Sequence, residues 1–225
     1  MSQASRKIGL FGGTFDPVHE GHLVLARAAI AECGLDAVIF IPAARPPHKQ
    51  QPVASFEHRV AMLREALAGQ DVMTVSLIEA ERDTPSYTID TVREIQKRRP
   101  GDEEFFFIIG ADSLIELHLW YRYQELLEEV RFIVAARPGV PFSRLAAAVA
   151  RLPGGFVYDS RLRTWQRGDG ACIHYLADVR VEVSSSEVRR LLARGRPTPM
   201  LPARVRRYIE THQLYRGQGS AACST

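Results

Sequence analysis

Short apolar runs alternate with longer amphipathic ones along this chain. IGLF (8–11) reads as a buried strand, and HLVLARAAIAECG (22–34) as a helix closed by Gly34. AVIFIP (37–42) is strand-like and stops at Pro42. SFEHRVAMLREALAG (55–69) opens with Ser55 as a cap and ends at Gly69, the bounds of a helix. VMTVSLI (72–78) is again strand-like, and YTIDTVREIQKRR (87–99) is helical up to Pro100. EFFFIIG (104–110) is the continuous apolar run expected of a central parallel strand. ELLEEV leads into RFIVAAR (131–137), another strand, and SRLAAAVARL (143–152) is a helix. Residues 153–178 hold glycines, isolated aromatics and the charged piece DSRLRTWQRGD, and read as a loop-rich connection. SSSEVRRLLARG (184–195) is a capped helix with Gly195 past its end; LPARVRRYIETHQLY (201–215) is a final helix beginning near Pro202.

Strands separated by helix-length segments make βαβ units and a parallel sheet. The expectation is an α/β fold: a doubly wound, Rossmann-like parallel sheet with helices on both faces and a small C-terminal helical part at 183–216. One domain spans 1–216, and the small, polar 217–225 is a disordered tail. In such sheets ligands sit beyond the carboxyl ends of the strands, at the point where strand order reverses.

Composition adds exclusions. With 29 basic and 26 acidic residues the net charge is +3, too small a surplus for bulk nucleic-acid binding, so any anion site is local. The basic residues from Arg161 to Arg167 read as a solvated loop. Cys33, Cys172 and Cys223 form no CxxC pair, as in a reduced, cytoplasmic protein. No apolar run approaches membrane-spanning length, and MSQASRK lacks the apolar segment of a secretory signal.

Chemistry concentrates in GGTFDPVHEGH, from Gly12 to His22. A strand feeds a glycine turn and then a helix, whose N-terminus offers free N–H donors and partial positive charge. Glycines let a phosphate approach the backbone, and His19 and His22, three apart, share a helical face. The string is neither GxxxxGK[ST], nor GxGxxG, nor HExxH. Two histidines without further ligands fall short of a structural zinc site. What remains is a polyphosphate site.

The string resembles the HxGH signature of the nucleotidylyltransferases, and its GGTFDPxHxGH form is most similar to that of the nicotinate-mononucleotide adenylyltransferases. IPAARPPHK (41–49), TPSYTIDTV (84–92), FIIGADSL (107–114), LWYRYQELL (119–127), VSSSEVR (183–189) and the closing LPARVRRYIETHQLY resemble further segments of that family, in its order, from about Lys7 to Arg216. The resemblance implies an enzyme joining ATP and nicotinate mononucleotide in NAD biosynthesis, with Mg²⁺ on the ATP. It implies His19, His22 and Arg189 as catalytic residues. Gly12, Gly13, Thr14, Phe15, Gly110, Asp112, Ser184, Ser185 and Ser186 join them at ATP. His48, Lys49, Ser86, Tyr87, Thr88, Trp120, Tyr121 and Arg137 fall on the mononucleotide side, and no dedicated protein metal ligands are expected. Neither nucleic acid nor membrane is an expected partner, and the assembly is a monomer or homodimer.

Several of these residues carry ordinary structural readings too. The PSYT hydroxyls suit an N-cap as well as a carboxylate, Trp120 suits core packing as well as ring stacking, and Asp112 suits a helix cap as well as ribose. His48 and Lys49 suit an exposed basic loop. Asp16 reads as support for the turn. Ser186 stands where the family usually has Thr, and keeps the hydroxyl. Ala43 and Ala44 stand where relatives often carry a polar side chain. Two other functions fit the opening string: transfer to another acceptor, such as phosphopantetheine, or nucleotide binding without catalysis.

Overall fold

In the computed structural model, the described residues are 5–46, 52–99, 101–179 and 183–216. His48, Lys49 and the tail 217–225 lie outside them. Strand β1 (Arg6–Gly13) is central, with β2 (Ala37–Pro42) and β4 (Glu103–Gly110) parallel on either side. Ile8 faces Ala37 on one flank and Phe105 on the other. With β3 (Met73–Val75) and β5 (Arg131–Ala135), strand order runs β3-β2-β1-β4-β5 before continuing to a second edge. The reversal between β1 and β4 puts Gly13 and Gly110 side by side at the carboxyl ends of their strands.

Side-chain alternation divides the core into two layers. Ile8 and Leu10 of β1, with Phe105, Phe107 and Ile109 of β4, face one layer. Phe11, Phe106 and Ile108 face the other. Helices α3 (Thr88–Arg98), α4 (Ala111–Ile115), α5 (Tyr123–Glu129) and α6 (Phe142–Val149) cover the first. Helices α1 (Glu20–Cys33), α2 (Phe56–Leu67), α7 (Ser185–Ala193) and α8 (Ala203–Thr211) cover the second. The expected doubly wound sheet with a C-terminal helical part is therefore observed. Gly34 takes φ 64 at the end of α1, and Ser55 caps α2 by accepting from His58 N at 3.4 Å. Among the described residues, no helix is long and apolar enough to cross a membrane.

Three segments depart from the sequence reading. The strand expected over 72–78 contracts to three residues, and the last helix ends at Thr211, after which Gln213 and Tyr215 take left-handed φ of 54 and 59. Residues 153–178 are not a loop. They form β6 (Val157–Asp159), β7 (Thr164–Gln166) and β8 (Cys172–Leu176). Strand β8 joins β5 in parallel, and β7 and β6 fold back antiparallel, completing eight strands in the order β3-β2-β1-β4-β5-β8-β7-β6. Asp159 shapes the β6–β7 turn by accepting from Arg161 N and Leu162 N. At three residues each, β6 and β7 fall below the length at which alternation is recognisable. Their scattered aromatics are the packing signal: Trp165, buried, stacks on Phe142 of α6 at 5.5 Å, with Tyr158 at 4.7 Å and Tyr175 at 5.9 Å.

Trp165→Ala will lower unfolding free energy by about 3–5 kcal/mol in urea titrations. Arg161→Ala, on the exposed turn, will stay within about 0.5 kcal/mol of the parent.

Candidate active site

The GGTFDPVHEGH stretch leaves β1 beside the sheet's reversal point. Phe15 takes φ 50 and is buried against Phe11 and Phe40, each 5.6 Å away, and His22 at 5.0 Å. A Cβ on Gly13 would lie 3.1 Å from the Phe15 ring, and one on Gly12 would lie 3.0 Å from Phe107. The missing side chains thus make room for aromatic rings. The sequence reading assigned that room to phosphate approach, because a sequence does not say which way a Cβ points. The Asp16–Pro17 peptide bond that follows is cis.

Helix α1 begins at Glu20, earlier than the sequence suggests, so His19 is its N-cap with extended backbone. His19 N donates to His22 Nδ1 at 3.1 Å, and His22 N donates to His19 O at 2.9 Å. The two rings stack with centroids 3.8 Å apart. Because His22 Nδ1 accepts, the proton of the neutral ring sits on Nε2. His19 is only 3% exposed, and its buried Nδ1 has no hydrogen-bond partner among the described residues. Burial, with the positive charge of Arg137 adding to it, pushes its pKa from 6.5 down to about 4. His19 is therefore a neutral ring at pH 7, and its orphaned nitrogen marks a place where a polar partner belongs.

The turn before α1 is organised around the buried carboxylate of Asp16. Its Oδ2 accepts from Val53 N at 2.8 Å; its Oδ1 accepts from Ala54 N at 3.1 Å and from the Tyr215 hydroxyl at 2.6 Å. Arg189 donates from Nη1 to the Asp16 carbonyl at 2.6 Å, and lies 3.7 Å from Oδ2. Ser185 Oγ donates to Pro17 O at 3.0 Å, and Ser184 caps α7 by accepting from Glu187 N. The first N–H of α1, on Glu20, donates to Met200 O at 2.8 Å. His19, His22, Ser184, Ser185, Ser186 and Arg189 are thereby gathered at one turn, where the N-termini of α1 and α7 meet.

Two residues of this network escape a sequence reading. Arg59, 1% exposed, donates to Thr14 O at 2.7 Å and to Ala43 O at 2.9 Å, tying the turn to the loop after β2. Its signal was an arginine inside the apolar stripe of α2, where a charge must be paired. Tyr215 lies beyond its expected helix and had no signal.

The residues expected on the mononucleotide side form a second group. Ser86 N donates to Arg45 O, and Ser86 Oγ accepts from Arg45 N, both at 3.0 Å. The N-cap of α3 is Tyr87, not Ser86, and Thr88 opens the helix. The ring of Tyr87 lies 4.5 Å from that of Tyr121, so the PSYT and Trp-Tyr stretches meet. Trp120 packs edge-on to Phe107 at 6.1 Å, and Phe107 reaches Gly12, joining the two groups through one ring. Buried Glu79 accepts from Thr91 Oγ1 at 2.8 Å and from Ala44 N at 3.4 Å, steadying the loop beside them. Gly110 is the N-cap of α4, and Asp112 pairs with Arg137. Arg137, Val140, Tyr175 and Ala177 line a cleft of about 460 Å³ beyond β5 and β8.

His19 sets a pH dependence. Its folded pKa is depressed, so the unfolded chain binds the extra proton, and stability is lost as pH falls from about 6.5 towards about 4. Between pH 7 and 5 the loss is about 2 kcal/mol. Urea titrations at the two pH values will show that difference shrinking by this amount in His19→Asn.

The chain matches the cytidylyltransferase-like family over residues 10–191. It is 42% identical over 214 residues to a Pelobacter propionicus protein named "Probable nicotinate-nucleotide adenylyltransferase", covering 93% of this chain and 98% of that one. A protein of the same name from Exiguobacterium sibiricum is 42% identical over 210 residues, covering 93% and 98%. In fold it is similar to Plasmodium falciparum nicotinic acid mononucleotide adenylyltransferase complexed with NaAD. The TM-score is 0.70 at 19% identity, covering 93% of this chain and 97% of that one. The chain belongs to the cytidylyltransferase-like family, and within it to the nicotinate-nucleotide adenylyltransferases.

Proposed function

We infer that the chain joins ATP and nicotinate mononucleotide to form nicotinate adenine dinucleotide and pyrophosphate, in the cytoplasm. The reading is carried by the stacked His19 and His22 at the start of α1, gathered at one turn with Arg189 of α7. An oxygen of the mononucleotide 5′-phosphate attacks the α-phosphorus of ATP, and the bond to the β-phosphate oxygen breaks in line. The nucleophile is already ionised, so no general base is needed. Rate enhancement comes from aligning two anions and from donors fixed before the reaction begins.

His22, with its proton held on Nε2, and neutral His19 donate to the α and β phosphates. Arg189 and the N–H groups of Ser185 and Ser186 hold the leaving pyrophosphate. Lys49 and His48 serve the attacking phosphate or the triphosphate. Gly12, Gly13, Thr14 and Phe15 form the turn under ATP. Gly110 and Asp112 serve its ribose. Arg137 serves the mononucleotide. Ser86, Tyr87 and Thr88 take the nicotinate carboxylate, and Trp120 with Tyr121 flanks its ring. Magnesium enters as MgATP, neutralising phosphate charge. Among the described residues no group of three His, Cys, Asp or Glu could hold a metal, and three N–H and O–H donors already occupy the Asp16 carboxylate. This donor set suits an ion carried by phosphate oxygens and water.

His22→Ala will lower kcat/KM on the order of 100-fold or more in a pyrophosphate-release assay, with the fold intact by circular dichroism. A near-normal rate would remove His22 from catalysis. In the same assay nicotinate mononucleotide will outpace nicotinamide mononucleotide, and equal use of the two would sink the carboxylate site at Ser86–Thr88.

A further inference from the structure

The Asp16 carboxylate poses a question of charge. It is 3% exposed and sits beside a guanidinium, yet Arg189 does not close on it. Three neutral donors take its oxygens: Val53 N on Oδ2, Ala54 N and the Tyr215 hydroxyl on Oδ1. The shortest of these contacts, at 2.6 Å, is the one from Tyr215. Arg189 stops 3.7 Å from Oδ2 and uses its own 2.6 Å hydrogen bond on an uncharged acceptor, the Asp16 carbonyl. Among the described residues its Nη2 reaches only Ser186 Oγ, at 3.4 Å, and its side chain remains 29% exposed. A guanidinium placed in this way is paired with the carboxylate at longer range without a hydrogen bond to it, which leaves its N–H groups for an incoming anion.

We propose that Tyr215 is a positioning residue for Arg189: by filling Asp16 Oδ1 it keeps the carboxylate from capturing the guanidinium, and so holds that charge in reserve for phosphate. The proposal rests on the reading that Arg189 holds the pyrophosphate end of ATP. Without the hydroxyl, Oδ1 loses its shortest donor within a buried site. Two guanidinium groups stand near enough to respond: Arg59, whose buried Nε has no partner among the described residues, and Arg189, 3.7 Å from Oδ2, which on closing would form a tight ion pair and leave the anion side. Tyr215 is 8% exposed and packs in the layer under α1, α2, α7 and α8, so Tyr215→Phe removes the donor and keeps the ring.

The test is a double-mutant cycle of Tyr215→Phe and Arg189→Ala, with kcat, both KM values and inhibition by inorganic pyrophosphate measured for each protein. Tyr215→Phe will raise the KM for ATP and the pyrophosphate inhibition constant by about tenfold, the size of one hydrogen bond to a charged group. The KM for nicotinate mononucleotide will not move. In the Arg189→Ala background the same change will cost less than about twofold, because its effect runs through Arg189. Equal losses in both backgrounds, or equal rises in both KM values, would overturn the proposal and leave Tyr215 a packing residue. If Arg189→Ala itself changes neither pyrophosphate inhibition nor kcat/KM, the reading of Arg189 fails first, and the proposal with it. Should Tyr215→Phe not fold, Tyr215→para-aminophenylalanine keeps the ring and an N–H donor at the hydroxyl's place, and must keep the KM for ATP within about threefold. A tenfold rise in that folded variant also overturns the proposal.

Discussion

One buried negative charge organises this protein's site. The Asp16 carboxylate takes donors from the segment before α2, from the turn past α8 and, at longer range, from α7. An unpaired carboxylate at that depth would cost several kcal/mol, so each donor is held in place by what its loss would expose. The turn between β1 and α1 has no regular hydrogen-bond ladder to fix it. Its shape comes from these contacts, from Arg59 grasping the Thr14 carbonyl and from the Phe15 ring seated among Phe11, Phe40 and His22. The histidines inherit their positions from that turn.

The sheet supplies the complementary constraint. Reversal of strand order between β1 and β4 leaves an opening at the carboxyl ends where neither neighbour's helix crosses. Phe107, on β4, fills the floor of that opening and touches both groups of site residues. The phosphate-side and mononucleotide-side residues therefore sit on one rigid layer although they come from distant parts of the chain. Such a layer suits the in-line transfer proposed above, in which two anions must be aligned.

Much of this was legible in the sequence, for physical reasons that differ by element. The strands buried on both faces announce themselves as unbroken apolar runs, EFFFIIG above all, and α7 and α2 carry serine caps that resolve as such. In the β6–β7–β8 extension, β6 and β7 have only three residues each and carry no period, and the five-residue β8 lies among glycines and charges; the aromatics around Trp165 mark the extension. His19 and His22 were legible from spacing, but not their stacking nor the tautomer that His22 must adopt. Arg59 and Tyr215 were missed because a buried polar side chain has meaning only through partners, and theirs lie 45 and 199 positions away. The serine of PSYT shows the reverse error. A hydroxyl beside a helix start suggests a cap, yet Ser86 spends its contacts on Arg45.

The span between Asp16 and Tyr215 has a consequence for how the protein comes into being. A chain emerging from a ribosome can lay down β1, α1 and β2 early, since their contacts are close in sequence. The turn bearing the histidines cannot reach its final form then, because Arg189 and Tyr215 have not been made. Until they are, the nascent chain carries a sheet whose β1–α1 turn is unfinished and an Asp16 still open to water. The histidine loop takes its final form only once α7, α8 and the turn past them have been made and have closed over it.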